Sequence, residues 1–224
     1  MEAKRAAAEK AVEYIEDGMI VGLGTGSTAY WAIQRIGQRM QEGLTIQAVA
    51  TSSRTESLAR ELGIPIISTS GLGTIDLTID GADEVDPRWN AIKGGGGALL
   101  REKIVAASSR QLILVVDESK LVDRLGRFPL PVEIVPFGAD LTVEQLGKLG
   151  CVPTRRITAA DGSPYLTDNG NYIVDCEFGS LADPEDVHDR INRIPGVVDN
   201  GLFLQMAGKV IVGYADRSVQ ELSR

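Results

Sequence analysis

Apolar residues along the chain keep two rhythms that alternate. Ala8, Ala11, Val12 and Ile15 fall at helical spacing, and Gly18 ends that stripe before the apolar run Met19-Ile20-Val21. A glycine-rich turn follows, then a second helical stripe at Ala29, Ile33, Ile36 and Met40 and a short apolar run over residues 46–50. Further on, residues 53–62 read as a helix stopped by Gly63, residues 65–67 and 75–79 as strands, residues 98–107 as a helix and residues 112–116 as a buried strand. Strands alternating with helices of this length predict an α/β fold. Its sheet is expected to be mostly parallel and covered on both faces, with ligands outside the carboxyl ends of the strands.

The pattern changes near Gly126, and the proline-punctuated segment Phe128-Pro129-Leu130-Pro131 marks a domain boundary. Beyond it, residues 132–135 and 152–158 read as strands. Residues 165–167 and 172–176 read as a hairpin around Asp168-Asn169-Gly170-Asn171, residues 141–149 and 184–194 as helices, and residues 197–198 as extended. The order β-α-β-β-α-β predicts a second, smaller ferredoxin-like α+β domain over residues 128–202. Residues 202–206 and 210–214 flank Ala207-Gly208-Lys209, which predicts a closing hairpin.

Composition narrows the classes of function. With 224 residues, 43% of them hydrophobic, the chain can furnish a packed core. A formal charge of -8 opposes a broad polyanion-binding surface, so nucleic acid is not an expected partner. A small anion remains compatible, because a few backbone N–H groups and one or two lysines hold it locally. Cys151 and Cys176 are too few for a disulfide scaffold and show no zinc-site spacing, which fits a reducing cytoplasm. The first residues lack the apolar core of a signal peptide, and no stretch approaches the ~18 apolar residues of a membrane span.

Three segments are candidates for chemistry. Gly22-Leu23-Gly24-Thr25-Gly26-Ser27-Thr28-Ala29 lies between a predicted strand and a predicted helix, where backbone N–H groups at a positive helix end suit phosphate. It lacks the lysine of a P-loop and matches a dinucleotide fingerprint weakly, since Thr51-Ser52-Ser53 stands where a ribose-binding acid is expected. A loop for a simple phosphate or hydroxylated ligand remains, beside a purely structural tight turn. In the second segment, Asp76 to Pro87, an apolar strand runs into Asp80, Asp83, Glu84 and Asp86. Acids at a strand's carboxyl end sit where α/β enzymes place ligands, although a solvated turn or an oxygen-ligand metal site stays open. In the third, Lys93 precedes four glycines, Gly94 to Gly97, and the next predicted helix carries Arg101-Glu102-Lys103. Four glycines are costly to order and admit close backbone approach to a ligand. Lys93 suits developing negative charge, while Glu102 reads either as a group aimed into a cleft or as an exposed helix carboxylate paired with a neighbouring base. Lys120, after a buried strand, is a further anion contact or an ordinary loop residue, and His188 reads as a solvated surface histidine.

In this order the segments resemble ribose-5-phosphate isomerase of the A type. The resemblance rests on Gly24-Thr25-Gly26-Ser27-Thr28, Thr51-Ser52-Ser53, Asp80-Gly81-Ala82-Asp83-Glu84, Lys93 to Gly97 with Arg101-Glu102-Lys103, Asp117-Glu118-Ser119-Lys120, Leu130-Pro131-Val132-Glu133 and Asp199 to Phe203. It implies interconversion of D-ribose 5-phosphate and D-ribulose 5-phosphate through an enediol(ate), in the non-oxidative pentose phosphate pathway, without metal or other cofactor. It further implies a Rossmann-like catalytic domain over residues 1–127 and 203–224, the ferredoxin-like domain between, and a homodimer or homotetramer.

By the same resemblance Glu102 is the proton-transferring carboxylate, and Asp80, Asp83 and Lys93 serve ring opening and the sugar oxygens. Thr25, Gly26, Ser27, Thr28, Gly81, Ala82, Gly94, Gly95, Gly96 and Lys120 contact the substrate. A single carboxylate is chemically sufficient, because it can take a proton from one carbon and return it to the next on one face of a planar intermediate. Two rivals stand beside this reading: a coenzyme A transferase with a glutamate nucleophile, and a non-catalytic sugar-phosphate sensor.

Overall fold

The structure, a computed structural model, describes residues 1–223. In chain order its first elements are α1 (Glu2–Val12), β1 (Ile20–Leu23), α2 (Ser27–Gln41), β2 (Gln47–Ala50), α3 (Ser53–Glu61), β3 (Ile75–Gly81), β4 (Glu84–Val85) and β5 (Ala91–Ile92). After them come α4 (Leu99–Ala107), β6 (Ser109–Asp117), a 3-10 turn (Glu118–Lys120), β7 (Leu130–Ile134), α5 (Ala139–Gly147), β8 (Val152–Arg155) and β9 (Tyr172–Glu177). The rest is α6 (Pro184–Asn192), β10 (Val197–Asn200), β11 (Leu202–Phe203), β12 (Lys209–Gly213) and β13 (Val219–Ser223). Two compact units divide the chain: residues 1–82, 101–121 and from Met206 on in one, residues 83–100 and 122–205 in the other.

The first unit is built on a six-stranded sheet in the order β13-β12-β6-β3-β1-β2. Every neighbouring pair is parallel except the β12–β13 edge. Leu112 to Val116 of β6 are all buried, as expected of a parallel strand covered on both faces. Ala7, Ala8, Ala11 and Val12 of α1 and Ile33 and Ile36 of α2 join Val21, Leu23, Ile79, Ile113 and Ile211 in one core. After β1 the chain passes to β2 on one side and then returns to β3 on the other. The carboxyl ends of β1 and β3 therefore flank a topological switch point, where α/β sheets open a crevice for ligands.

The second unit holds an antiparallel sheet in the order β10-β7-β9-β8, with α5 and α6 between its strands in the chain. This is the expected β-α-β-β-α-β ferredoxin-like arrangement. Its core gathers Leu130, Val132, Ile134, Leu146, Val174, Cys176 and Ile191. A small three-stranded sheet, β11-β5-β4, completes the unit.

Three elements differ from the sequence pattern. Residues 65–67 make only a single bridge, Ala48 with Ile66. Residues 165–167 form no strand; they lead into a turn closed by the Thr167 N–H to the Asn171 carbonyl, and β9 pairs with β8 instead. Residues 202–206 and 210–214 form no hairpin, because Leu202 and Phe203 pair with β5 while β12 lies parallel to β6 and turns back into β13. The strand that closes this real hairpin, Val219 to Ser223, is an edge with three exposed positions of five, so no apolar period announces it.

Candidate functional site

The first glycine-rich turn sits at the switch point. Gly26, at φ 116, ends the turn and N-caps α2, which opens with Ser27. The Thr25 N–H donates to Asp80 Oδ1 at 3.1 Å, and the same oxygen accepts from the Gly81 N–H at 2.8 Å. Asp80, 1% exposed at the end of β3, thus ties the end of β1 to its own strand. Gly24 is required at this approach, since a Cβ there would lie 2.1 Å from Asp80 Oδ1 and 2.6 Å from the Asp80 backbone. The Thr25 hydroxyl lies 2.8 Å from both Thr51 Oγ1 and Ser52 Oγ, and Thr55 Oγ1 donates to the Gly24 carbonyl at 2.9 Å. Ser52 also caps α3 by accepting from the Thr55 N–H. The turn is consequently well braced, and the start of α2 at Gly26 and Ser27 is exposed.

Beside it lies a lysine that sequence context hardly marks. Lys4 Nζ donates to Ser27 Oγ at 3.0 Å and stands 4.0 Å from Asp117 Oδ2. The signal was slight: a charge one helical turn before the buried Ala7 and Ala8 of α1. Lys120 ends the 3-10 turn after β6. Burial works to raise the Asp117 carboxyl, but hydrogen bonds from Ser119 and the charges of Lys4 and Lys120 outweigh it and hold the group below the usual carboxylate range. A cavity of about 520 Å³ opens beside Lys4 and the turn, lined by Lys4, Thr25, Gly26, Ser27, Tyr30 and Arg54 among others, with neither Asp117 nor Lys120 in its lining. Its size suits a small ligand.

The acidic segment separates into distinct jobs. Glu84, 2% exposed, accepts the Gly126 and Phe128 N–H groups at 2.7 Å each and so anchors that loop. Asp86 accepts from the Arg88 and Asn90 N–H groups and from Asn90 Nδ2, closing its own turn. These two are structural. Asp83 instead accepts the Gly95 N–H at 2.8 Å, which brings it to the glycine run.

Lys93 is 2% exposed; its N–H donates to the Gly201 carbonyl at 2.9 Å, and its ammonium stands 5.3 Å from the Phe203 ring centroid. Gly94 and Gly97 take left-handed φ values of 104 and 80, which a side chain would disfavour. Gly95 and Gly96 are exposed between them. Glu102 lies in the first turn of α4 and is only 3% exposed, which removes the reading of it as a solvated helix carboxylate. Thr28 is buried and faces Gly81. Ala82 follows Gly81 as the last residue of that stretch of the first unit.

Other candidates fall away from this chemistry. His188 contacts Asn200 through Nδ1 and Asn192 through Nε2, so it is bound into the α6 surface rather than freely solvated. Cys151 and Cys176 are buried core residues, and the Cys176 thiol is pushed up by its contact with Cys151 and by burial. Among the described residues no three His, Cys, Asp or Glu side chains gather as metal ligands would, and no helix is long and apolar enough to cross a membrane.

Comparison with known proteins shows the family to which the chain is similar over most of its length. Residues 47–217 match the family described as ribose 5-phosphate isomerase A (phosphoriboisomerase A). A ribose-5-phosphate isomerase A of Bacillus thuringiensis subsp. konkukian is 54% identical over 223 residues, covering 99% of this chain and 100% of the relative. A solved ribose 5-phosphate isomerase A from Methanocaldococcus jannaschii superposes with a TM-score of 0.93 at 38% identity, covering 99% of this chain and 98% of that one. A D-ribose-5-phosphate isomerase in complex with phospho-erythronic acid gives a TM-score of 0.94 at 41% identity, covering 99% and 97%.

Proposed function

Since the chain belongs to the ribose 5-phosphate isomerase A family, we propose that it interconverts D-ribose 5-phosphate and D-ribulose 5-phosphate with Glu102 as the base that moves the proton between C1 and C2. The observation that carries the assignment is Glu102 itself. A carboxylate 3% exposed in the first turn of a helix, directly after a run of four glycines, has no solubility role to explain it. Held away from water, such a group keeps its position while it accepts a carbon-bound proton and gives it back.

The remaining roles follow from charge. As the proton leaves C2, negative charge builds on the two oxygens of the enediolate, and Lys93 offsets it. Asp80 and Asp83 serve proton transfer during ring opening and orient the sugar hydroxyls. The phosphate goes to Thr25, Gly26, Ser27 and Thr28 with Lys120, because the α2 N-terminus offers N–H donors and hydroxyls in an otherwise acidic chain. Gly81, Ala82, Gly94, Gly95 and Gly96 supply backbone contacts to the sugar. No metal or other cofactor enters this scheme, so turnover should survive exhaustive EDTA treatment; loss restored by a divalent ion would reassign Asp83 and its neighbours as ligands.

The decisive experiment is deuterium exchange at the sugar carbons, followed by NMR. Glu102→Gln keeps the size and hydrogen bonding of the side chain but cannot accept the proton, so turnover should fall by about a hundredfold to ten-thousandfold while substrate still binds. Exchange at the wild-type rate in Glu102→Gln, with loss in an Asp83 variant, would move the base to the acidic segment.

Wider context belongs to the same proposal: a cytoplasmic enzyme of the non-oxidative pentose phosphate pathway, acting as a homodimer or homotetramer. The oligomer is supported by Phe137, Leu141 and Val152, apolar residues that are 94%, 70% and 63% exposed in the second unit. Residues 128–202 as one domain are supported by the sheet β7 to β10 with α5 and α6, which falls wholly within them.

A further inference from the structure

The glycine run is gripped by side chains far along the chain. Arg156 Nη1 donates to the Gly94 carbonyl at 3.0 Å and to the Gly95 carbonyl at 3.3 Å. The other edge of its guanidinium pairs with Asp175, Nε to Oδ2 at 2.9 Å and Nη2 to Oδ1 at 2.5 Å. Both side chains are largely buried, at 17% and 26% exposure. The Tyr165 ring lies 5.9 Å from the Arg156 guanidinium, and its hydroxyl oxygen occupies the space of a Gly97 Cβ, 2.2 Å from where that atom would be. Burial raises the Tyr165 phenol, so it stays protonated in the working pH range.

These contacts fix which way the loop peptides point. In a trans peptide the carbonyl and the following N–H face opposite directions. With the Gly94 carbonyl on Arg156, the Gly95 N–H turns to the other side, where it meets Asp83. With the Gly95 carbonyl also on Arg156, the Gly96 N–H turns the same way, at an exposed position. Glycines have no side chain to enforce such an orientation, and both faces of the peptide are otherwise accessible to them. Asp175 neutralises the guanidinium, so the contribution of Arg156 is geometric rather than a net positive field.

We propose that Arg156, locked by Asp175 and seated against Tyr165, is the positioning residue that sets the Gly94–Gly96 peptides so that the Gly96 N–H donates to the sugar oxygens of the substrate. The proposal rests on the reading that Gly94 to Gly96 contact the sugar phosphate. It assigns a specificity role to the sugar end of the ligand and none to the phosphate end.

The test compares two probes by calorimetry: phospho-erythronic acid, which carries both a sugar-like chain and a phosphate, and inorganic phosphate alone. Arg156→Gln should weaken the first by about tenfold, the scale of one well-placed hydrogen bond, and leave the second within about twofold. Arg156→Lys should recover part of the loss, since one donor returns without the fork. The melting temperature of Arg156→Gln should fall by a few degrees, because Asp175 loses its partner, while the variant stays folded at the assay temperature. Unchanged affinity for phospho-erythronic acid, or equal weakening of both probes, overturns the proposal. Should Arg156→Gln fail to fold, the same comparison on Arg156→Lys decides, with equal or no loss counting against it. Wild-type protein that binds neither phospho-erythronic acid nor ribose 5-phosphate refutes the reading of the glycine run itself, a result distinct from either variant outcome.

Discussion

The turn at Gly24 to Thr28 and the run at Gly94 to Gly97 are both glycine-rich, yet they are restrained in different ways. The first is held by residues of its own sheet and the next helix: Asp80 at the end of the adjacent strand, and Thr51, Ser52 and Thr55 at the following strand-to-helix turn. Of its glycines, Gly24 answers crowding, pressed against the Asp80 backbone, while Gly26 has open space around it and supplies a φ of 116. The second run is tied by Asp83 on one side and by Arg156, 62 residues beyond Gly94, on the other. Its glycines are crowded as well, Gly94 by Leu99, Gly95 by Asp83 and Gly97 by Tyr165, but here the close neighbours are side chains rather than the backbone of an adjacent strand. A turn built onto the carboxyl ends of interior strands suits a constant feature such as a phosphate, whereas a loop gripped from outside suits oxygens that must be met at set angles.

Substituting a methyl group into each segment should separate them most widely. Gly24→Ala forces atoms against the Asp80 backbone, and overpacking of this kind costs about 1–3 kcal/mol or more. We expect kcat/KM to fall by at least about a hundredfold, with a lowered melting temperature. Gly97→Ala meets the end of the Tyr165 side chain first, besides a left-handed backbone cost of about 1–2 kcal/mol. Adding Tyr165→Ala should therefore return part of the activity lost in Gly97→Ala, while no single neighbour can relieve Gly24→Ala. Near-normal assays and melts for Gly24→Ala would erase the distinction.

A middling effect is expected at the lysines beside the first turn. Lys4→Ala and Lys120→Ala should each raise KM for ribose 5-phosphate by up to about tenfold and leave kcat within about twofold, because contacts to the non-reacting phosphate act on binding. Steady-state kinetics over a range of substrate concentrations reads this directly. An unchanged KM with a collapsed kcat would place the phosphate elsewhere.

The smallest effect concerns pH. The Asp117 carboxyl is held below its ordinary value, so its interactions with Ser119, Lys4 and Lys120 stabilise the folded chain above about pH 3.9. That contribution is lost as pH falls through the depressed folded-state value. Solvent screening keeps it modest. Asp117→Asn should lower the melting temperature slightly at pH 7, and the gap from wild type should close in strong acid. A gap that widens on acidification would contradict the assignment.

Much of this was legible in one dimension because its causes are local. Helical stripes in α1 and α2, the buried run of β6 and the strand-turn-helix at Gly24 follow from periodicity and from the steric freedom of glycine. The edge strand β13 was not legible, since two of its five residues carry the partial burial and the others face solvent. Lys4 was hidden among the charges of a helix that is polar apart from one stripe.

Sequence by itself therefore determined the alternation of the main helices and strands, the α/β class and the ferredoxin-like second sheet, and it placed the glycines and acids of interest. Only the tertiary structure decided which acids do what. Asp80, Asp83, Glu84 and Asp86 are neighbours in the chain and indistinguishable there, but folding sends them to the Thr25 turn, the glycine run, the Gly126 loop and a self-closing turn respectively. It likewise decided that Glu102 is buried and that Arg156 reaches Gly94. The physical reason is range: spacing rules and backbone sterics act over a few residues, whereas burial and long hydrogen bonds exist only once distant segments have packed.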